Sequence, residues 1–382
     1  MRCKAARGRL CCTEKKHANP GGASAFSSKG VTIMHYATEL PLHGGKAPRW
    51  LFQRMVKLGD AICTVIIDEY GPGELVARLS DSNWFQALAC AIGYDWHSSG
   101  TTTVTMGALK EALNSTGSIY IAGGKGKAGL KTPEEIKAGT DVLSIPGEDE
   151  RFAEFSRLAA KIDSSMIYDN IGIYHHSFIF SSDKKWAVVQ QAMPREGNKA
   201  IRFQWFSGSV NASDITNEPH TCVSSELHVN SMDLTYSQNE WVKKASIEAL
   251  KEYDKIVKKT SYPERHGIIA KVDVGRRGME AIKRAGELDP QDYRDLLLIK
   301  GVGRATIRSL AFVSSLIYGK ELAYRDPVTF AYNVGGKDKI PFEINRRGYD
   351  ELIETMGHII DAARIEKGEK YKILKRLNSK FS

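Results

Sequence analysis

The chain lacks the marks of several large functional classes. Its 382 residues contain no run of about eighteen apolar residues and no signal-type apolar segment, so neither a membrane helix nor an exported leader is expected. None of its six cysteines forms a Cys-x-x-Cys pair, which argues against a zinc ribbon. Cys63, Cys90 and Cys222 stand in apolar surroundings and read as the buried, reduced thiols of a soluble cytoplasmic protein. No Gly-Lys-Ser/Thr sits at the offset of a phosphate-binding loop, no Gly-x-Ser-x-Gly elbow occurs, and no internal repeat is visible. Familiar nuclease signatures are also missing. There is no acid-x-Lys pair on a strand with an upstream Asp, no His-Asn-His pattern and no His-x-Glu followed by a cysteine pair.

What is present is a hydrophobic share of 42%, enough for a sizeable core, and a net charge of +9 that is unevenly spread. Residues 1–33 and 241–320 are basic, while residues 34–240 are acidic on balance. A basic segment beside an acidic one fits phosphate binding next to a carboxylate-bearing pocket. The extension 1–33 has no hydrophobic period and reads as a disordered basic arm, with Met34 an alternative start of the chain.

From Pro48 the apolar residues recur at helical spacing, giving helices to about Glu69, over Glu74–Leu79 and over Ser82–Ile92. Thr101–Leu113 reads as strand-like Thr/Val entering a helix, and Ser118–Ala122 as a short strand. Thr132-Pro133-Glu134-Glu135 has the form of a capping box. An amphipathic helix spans 150–165. The period then changes to two: strands Gly172–Phe180 and Trp186–Met193 flank Ser181–Lys185 as a β-hairpin, and Ile201–Phe206 adds a strand. Helical spacing returns at 240–260, 275–287, 291–299, 303–318 and 347–375, with Tyr262-Pro263 as a linker. The expected fold class is α+β: a mixed helical and antiparallel-sheet body over 34–240, then a mainly helical module over 241–382.

The most informative stretch is Leu297-Leu298-Ile299-Lys300-Gly301-Val302-Gly303-Arg304-Ala305-Thr306, which resembles a helix-hairpin-helix within 291–318. Two glycines permit a sharp turn and close approach, and a helix starting near Gly303 presents free N–H groups to a phosphate. Lys300, Gly301, Val302, Gly303, Arg304, Thr306 and Arg308 are the expected nucleic-acid contacts; the alternative is a hairpin whose glycines only allow packing. Lys125 and Lys127, in Gly124-Lys125-Gly126-Lys127-Ala128-Gly129, suit a clamp on the same backbone. That loop nominally fits Gly-x-Gly-x-x-Gly, but a helix beginning only at Pro133 comes too late for dinucleotide binding. Trp96 and His97, in Asp95-Trp96-His97-Ser98-Ser99-Gly100, suit base stacking and phosphate contact in a groove.

The hairpin carries the candidate chemistry. With alternate residues on one face, Asp169, Ile171, Ile173 and His175 share one side, and His176 points to the other. A turn centred on Asp183-Lys184 sets His176 opposite Gln191 and Ser177 opposite Gln190. His220, on a loop after Pro219, joins from outside. The expected catalytic set is Asp169, His175, His176, Gln190, Gln191 and His220, with Asp169, His176 and His220 as ligands of a divalent metal. Imidazole and carboxylate donors suit manganese, zinc or iron better than magnesium. The competing reading is a sheet face whose polar pairs bond across strands.

Several further strings belong beside the turn: Leu40-Pro41-Leu42-His43-Gly44-Gly45-Lys46, Tyr174-His175-His176, Val188-Val189-Gln190-Gln191 and Gly335-Gly336-Lys337-Asp338. Together they resemble an uncharacterised archaeal and bacterial family, domain of unknown function 763, from about residue 34 to about residue 355. The resemblance implies no activity; it implies that body and hairpin module belong to one protein and argues against an organellar transit peptide. The expectation is therefore a DNA-binding protein, either a metal-dependent nuclease or repair factor or a non-enzymatic binding module, with a nucleotide-dependent enzyme as third reading. DNA is the expected partner, a membrane is not, and homo-oligomerisation stays open.

Overall fold

A computed structural model describes residues 47–94, 99–168, 171–194, 200–211, 213–225, 230–259, 275–328 and 346–381, all within the unit Met34–Ser382. The extension 1–33, the Tyr262-Pro263 linker and the Gly335–Asp338 loop lie outside the described residues. The described part is α+β, with a five-stranded antiparallel sheet in the order β1-β2-β3-β4-β5. The strands are β1 (Ile119–Lys125), β2 (Ile171–Ser181), β3 (Trp186–Pro194), β4 (Ile201–Phe206) and β5 (His220–Ser224).

Helices cover both faces. Before the sheet come α1 (Arg49–Tyr70), α2 (Pro72–Leu79), α3 (Ser82–Ala91) and α4 (Ser99–Leu113). The expected strand at Thr101 is helix instead: Thr101, Thr102 and Thr105 are buried along α4, and tertiary packing outweighs β-branched propensity there. Between β1 and β2 lie α5 (Lys127–Leu130), α6 (Thr132–Val142) and α7 (Asp149–Ile162), which opens into a π-helical turn over Asp163–Ile167. After the sheet come α8 (Glu240–Lys259), α9 (Gly275–Leu288), α10 (Tyr293–Leu298), α11 (Arg304–Tyr318), α12 (Arg346–Ala362) and α13 (Lys367–Phe381). The single helix expected over 347–375 is thus two. The break lets Met356, Ile359 and Ile360 of α12 and Ile373 and Leu377 of α13 enter one core with α1 and α3.

The pleat of the sheet divides the interior. Ile121, Ile179, Ala187 and Val189 face α1–α4 and α12–α13. Phe178, Phe180, Trp186, Val188, Phe203 and Trp205 face α7, α8, α10 and α11. So the segment after 240 contributes to both layers. In the second layer Phe155 stacks on Trp186 at 4.9 Å between centroids, and Phe152 tilts against Phe180 at 5.3 Å. Each such buried side chain contributes roughly 1.5–3 kcal/mol of transfer free energy.

Strand β1 is an edge, and side chains occupy its outer backbone groups. The Asn114 amide accepts from Ile121 N at 2.8 Å and donates to Ile121 O at 3.1 Å. Two residues on, Glu135 accepts from Gly123 N at 2.6 Å and Lys110 donates to Gly123 O at 2.9 Å. Glu135 is therefore not part of the expected capping box. Thr132 likewise makes no cap, and its hydroxyl donates to Gly129 O at 2.7 Å. Gly123 sits at φ +91, and a Cβ there would lie 2.2 Å from His176 O. Gly117 also has positive φ, +72, but open space around it. Urea unfolding should therefore show Gly123→Ala losing roughly 3 kcal/mol, with strain and overlap acting together, against about 1 kcal/mol for Gly117→Ala.

Candidate functional site

The hairpin loop decides which side chains meet. Lys184 takes a left-handed φ of +64, and Ser181 N donates to Lys185 O at 3.0 Å, so the loop has three residues between Ser181 and Lys185. That moves the register by one from the expected pairing. His176 lies opposite Gln190 and His175 opposite Gln191, while Ser177 faces Val189. A bulge between Ile173 and His175 makes a second change. Ile171 and Ile173 pack in the core that faces α7, the side to which His176 also points, so they do not share a face with His175.

On the α7 side the polar groups form one chain. The Asp163 carboxylate, 0% exposed, accepts from Gln190 Nε2 at 2.5 Å and Trp205 Nε1 at 3.1 Å, and lies 2.6 Å from His220 Nε2. Gln190 Oε1 is 2.8 Å from His176 Nδ1, and His176 Nε2 is 2.7 Å from Ser156 Oγ. Burial pushes the Asp163 carboxyl upward, opposed by the nearby His220 and the bonds from Trp205 and Gln190. Burial brings His176 down to about 4, opposed by its bond to Gln190. With Gln190 Nε2 donating to Asp163, Gln190 Oε1 must accept. His176 then carries its proton on Nδ1, and Nε2 accepts from the Ser156 hydroxyl.

On the opposite side His175 Nε2 is 2.9 Å from Ser177 Oγ, and the Gln191 amide has no hydrogen-bond partner among the described residues. Burial, then His176, Lys125 and Lys110, bring His175 down to about 3. Arg202, opposite Gln191, donates to Gln86 at 3.3 Å and to Thr102 at 3.4 Å, with Phe85 under its guanidinium at 4.6 Å. The sheet thus separates His175 and Gln191 from His176, Gln190 and His220. His220 is the first residue of β5 rather than part of a loop. Of the expected metal ligands, Asp169 lies outside the described residues, as do Trp96 and His97. His176 and His220 are joined through Gln190 and Asp163, and both ring nitrogens of His176 have partners. Among the described residues no group of three or more His, Cys, Asp or Glu is placed to hold a metal ion.

Ser156 and Asp163 were not among the expected site residues. Both lie on the apolar stripe of α7, with Phe152, Ser156, Ala159 and Asp163 at helical spacing, and a polar residue on such a stripe was the available signal.

A cavity of about 410 Å³ opens beside His176, walled by Ser156, Arg157 and Ala160 on α7 and by Gly124, Gly129 and Thr132 across from them. Strand β1 extends through this wall, with Gly124 opposite His176 and Lys125 opposite His175, so the loop begins later than expected. A second hollow of about 290 Å³ continues the first: Arg157, Ala160 and Ser164 line both, and Leu297 and Leu298 of α10 close the far end. Beyond them α10 turns through Ile299–Gly303 into α11, with Gly301 at φ +97 and Val302 N donating to Ile299 O at 3.1 Å. Lys300 and Gly301 are exposed, and Gly303 and Arg304 are half-buried. Lys161 donates to Val302 O, Arg284 to Lys300 O at 2.9 Å, and Arg304 to Ile171 O at 3.1 Å. Val302 and Thr306 are buried, and Arg308, 9% exposed, turns inward near Tyr293 rather than lining the turn. Arg157, which lines both hollows, is exposed, as are Lys125, Lys127 and Lys131, each next in sequence to a residue of the first cavity's wall.

The model of one protein family, described as "Protein of unknown function (DUF763)", matches residues 36–344. The chain belongs to that family. No curated protein and no solved structure matches this DUF763 chain.

The two neutral imidazoles have a consequence for stability. An unfolded histidine titrates near 6.5, so as pH falls the unfolded chain takes up protons first. The contribution of the neutral rings is complete above about pH 6.5 and is lost as pH falls toward 4. Urea unfolding at pH 7 and pH 5 should differ by about 2 kcal/mol per histidine. His176→Gln should remove roughly half of that pH dependence; a difference unchanged in this variant would contradict the assignment.

Proposed function

We propose that this protein binds the sugar–phosphate backbone of DNA along the groove between the Ile299–Gly303 turn and the segment Gly124–Gly129, where β1 passes into α5, and delivers one phosphodiester to His176 for cleavage. The observation that carries this reading is the continuity of the groove: Arg157 and Ala160 of α7 and Ser164 of the π-helical turn line both hollows, with Leu297 and Leu298, which lead into the Ile299–Gly303 turn, at one end and the His176 chain at the other. Among the described residues no acid pairs with Lys125, Lys127, Lys131, Arg157 or Lys300, so these cations remain available to phosphates. Exposed Gly301 and a start of α11 that has no side-chain cap at Gly303 support a phosphate contact of the helix-hairpin-helix kind. A sequence-independent grip is favoured, since the cations are spread over the end of β1, the start of α5, α7 and the Ile299–Gly303 turn rather than gathered on one element shaped for a groove of duplex DNA. The charges argue for DNA binding whether or not cleavage follows. The cleavage part rests on the neutral, oriented His176 at the end of the groove.

Fluorescence anisotropy with labelled single- and double-stranded oligonucleotides tests the grip. Five phosphate contacts, one for each of these cations, give a slope of log affinity against log salt of about −3.5 to −4.5. Arg157→Ala and Lys300→Ala should each weaken all sequences roughly three- to tenfold and reduce the slope by about one. Affinity indifferent to salt would rule the reading out. Incubation with manganese, magnesium or a chelator then shows whether the bound strand is cut and whether a metal is needed.

A further inference from the structure

We infer that Ser156 is a nucleophile, activated by His176, that attacks the phosphorus of the bound phosphodiester; the inference rests on the backbone-binding reading. Three observations converge on it. Ser156 Oγ and His176 Nε2 are 2.7 Å apart, within the reach of a nucleophile and its general base. The order of donors from Asp163 through Gln190 leaves the lone pair of Nε2, not its proton, toward Ser156. Both residues line the same cavity of about 410 Å³, so the pair borders space that a phosphoryl group can enter, though Ser156 itself is only 2% exposed.

A buried polar network with a purely structural role has no need of a cavity at its end. Here the chain starts at a fully enclosed carboxylate and finishes at a hydroxyl on the cavity wall. Asp163 and Gln190 act as positioning residues: they set the tautomer and hold the ring, as the third group does in hydrolytic triads built on other folds. Across the cavity, Gly129 lets α5 lie close against β1 and β2. A Cβ on Gly129 would lie 3.0 Å from Gly124 O and 3.5 Å from His176 Cβ.

The step balances without an added oxidant or reductant. Ser156 Oγ forms a bond to phosphorus, its proton passes to His176 Nε2, and the bond from phosphorus to one sugar oxygen breaks. The imidazolium gives the proton to that oxygen, which leaves as a hydroxyl. A water then attacks the phosphoserine diester, its proton goes to Nε2, and the proton returns to Ser156 Oγ as the phosphorus–serine bond breaks. The sum is hydrolysis of one phosphodiester.

The test uses the full chain and an alkyl fluorophosphonate, whose phosphorus takes a serine oxygen with loss of fluoride. Peptide mapping by mass spectrometry should find the adduct on Ser156, and His176→Ala should slow its formation at least a hundredfold. No adduct on Ser156, or an equal rate in His176→Ala, would overturn the inference. Should His176→Ala fail to fold, Ser156→Cys offers a second reading. Its thiol should react with iodoacetamide at pH 7 at least tenfold faster than free glutathione, and a rate no faster than glutathione overturns the inference. Anisotropy on the same samples separates the two claims. DNA binding without an adduct removes the nucleophile and leaves the grip. An adduct without DNA binding removes the nucleic-acid substrate, and with it the inference as stated.

Discussion

The candidate site depends on one carboxylate that has no access to water. Asp163 is wholly enclosed, and an ionised carboxylate in that position is tolerable only if its lone pairs are met by donors. Trp205, Gln190 and His220 supply them from β4, β3 and β5. One side chain at the end of α7 thereby fixes three adjacent strands relative to that helix. The π-helical turn over Asp163–Ile167 continues α7 to the point where this is possible. The same requirement reaches further out, because a Gln190 that must donate to Asp163 can only accept from His176.

Helix α7 serves the molecule on two sides. Its inner stripe carries Phe152, Phe155 and Ile162 into the core along with Ser156 and Asp163. Arg157, Ala160, Lys161 and Ser164 form the wall of the groove, and Lys161 reaches the Val302 carbonyl in the turn between α10 and α11. Burial holds the Lys161 ammonium below the usual lysine range. Helix α7 thus touches both the basic turn, through Lys161, and the histidine chain, through Ser156.

Much of the architecture was legible in the chain. The helices at Arg49, Pro72, Ser82, Asp149 and Gly275 follow from apolar residues at helical spacing, and the strands at 171–206 from the change of period to two. Periodicity failed where packing decides. Thr101–Thr105 is a helix because its threonines are enclosed, and one stripe over 347–375 concealed a break that only the second layer explains. In the site, residue types were readable but partners were not. The left-handed Lys184 and the bulge before His175 each move the pleat by one residue, and neither has a glycine to announce it. Ser156 and Asp163 were hidden because a short polar residue on an apolar stripe gains its meaning from what lies across it, here His176 and Gln190.

The side chains along β1 carry a consequence of their own. Asn114 mimics a peptide unit of a neighbouring strand against Ile121, and Glu135 with Lys110 does the same against Gly123. A further chain approaching that border finds the inter-strand bonding sites at these residues already filled. The sheet therefore ends at β1 by chemistry rather than by lack of sequence, and edge-to-edge recruitment, the usual route from an open border to fibrils, is blocked there.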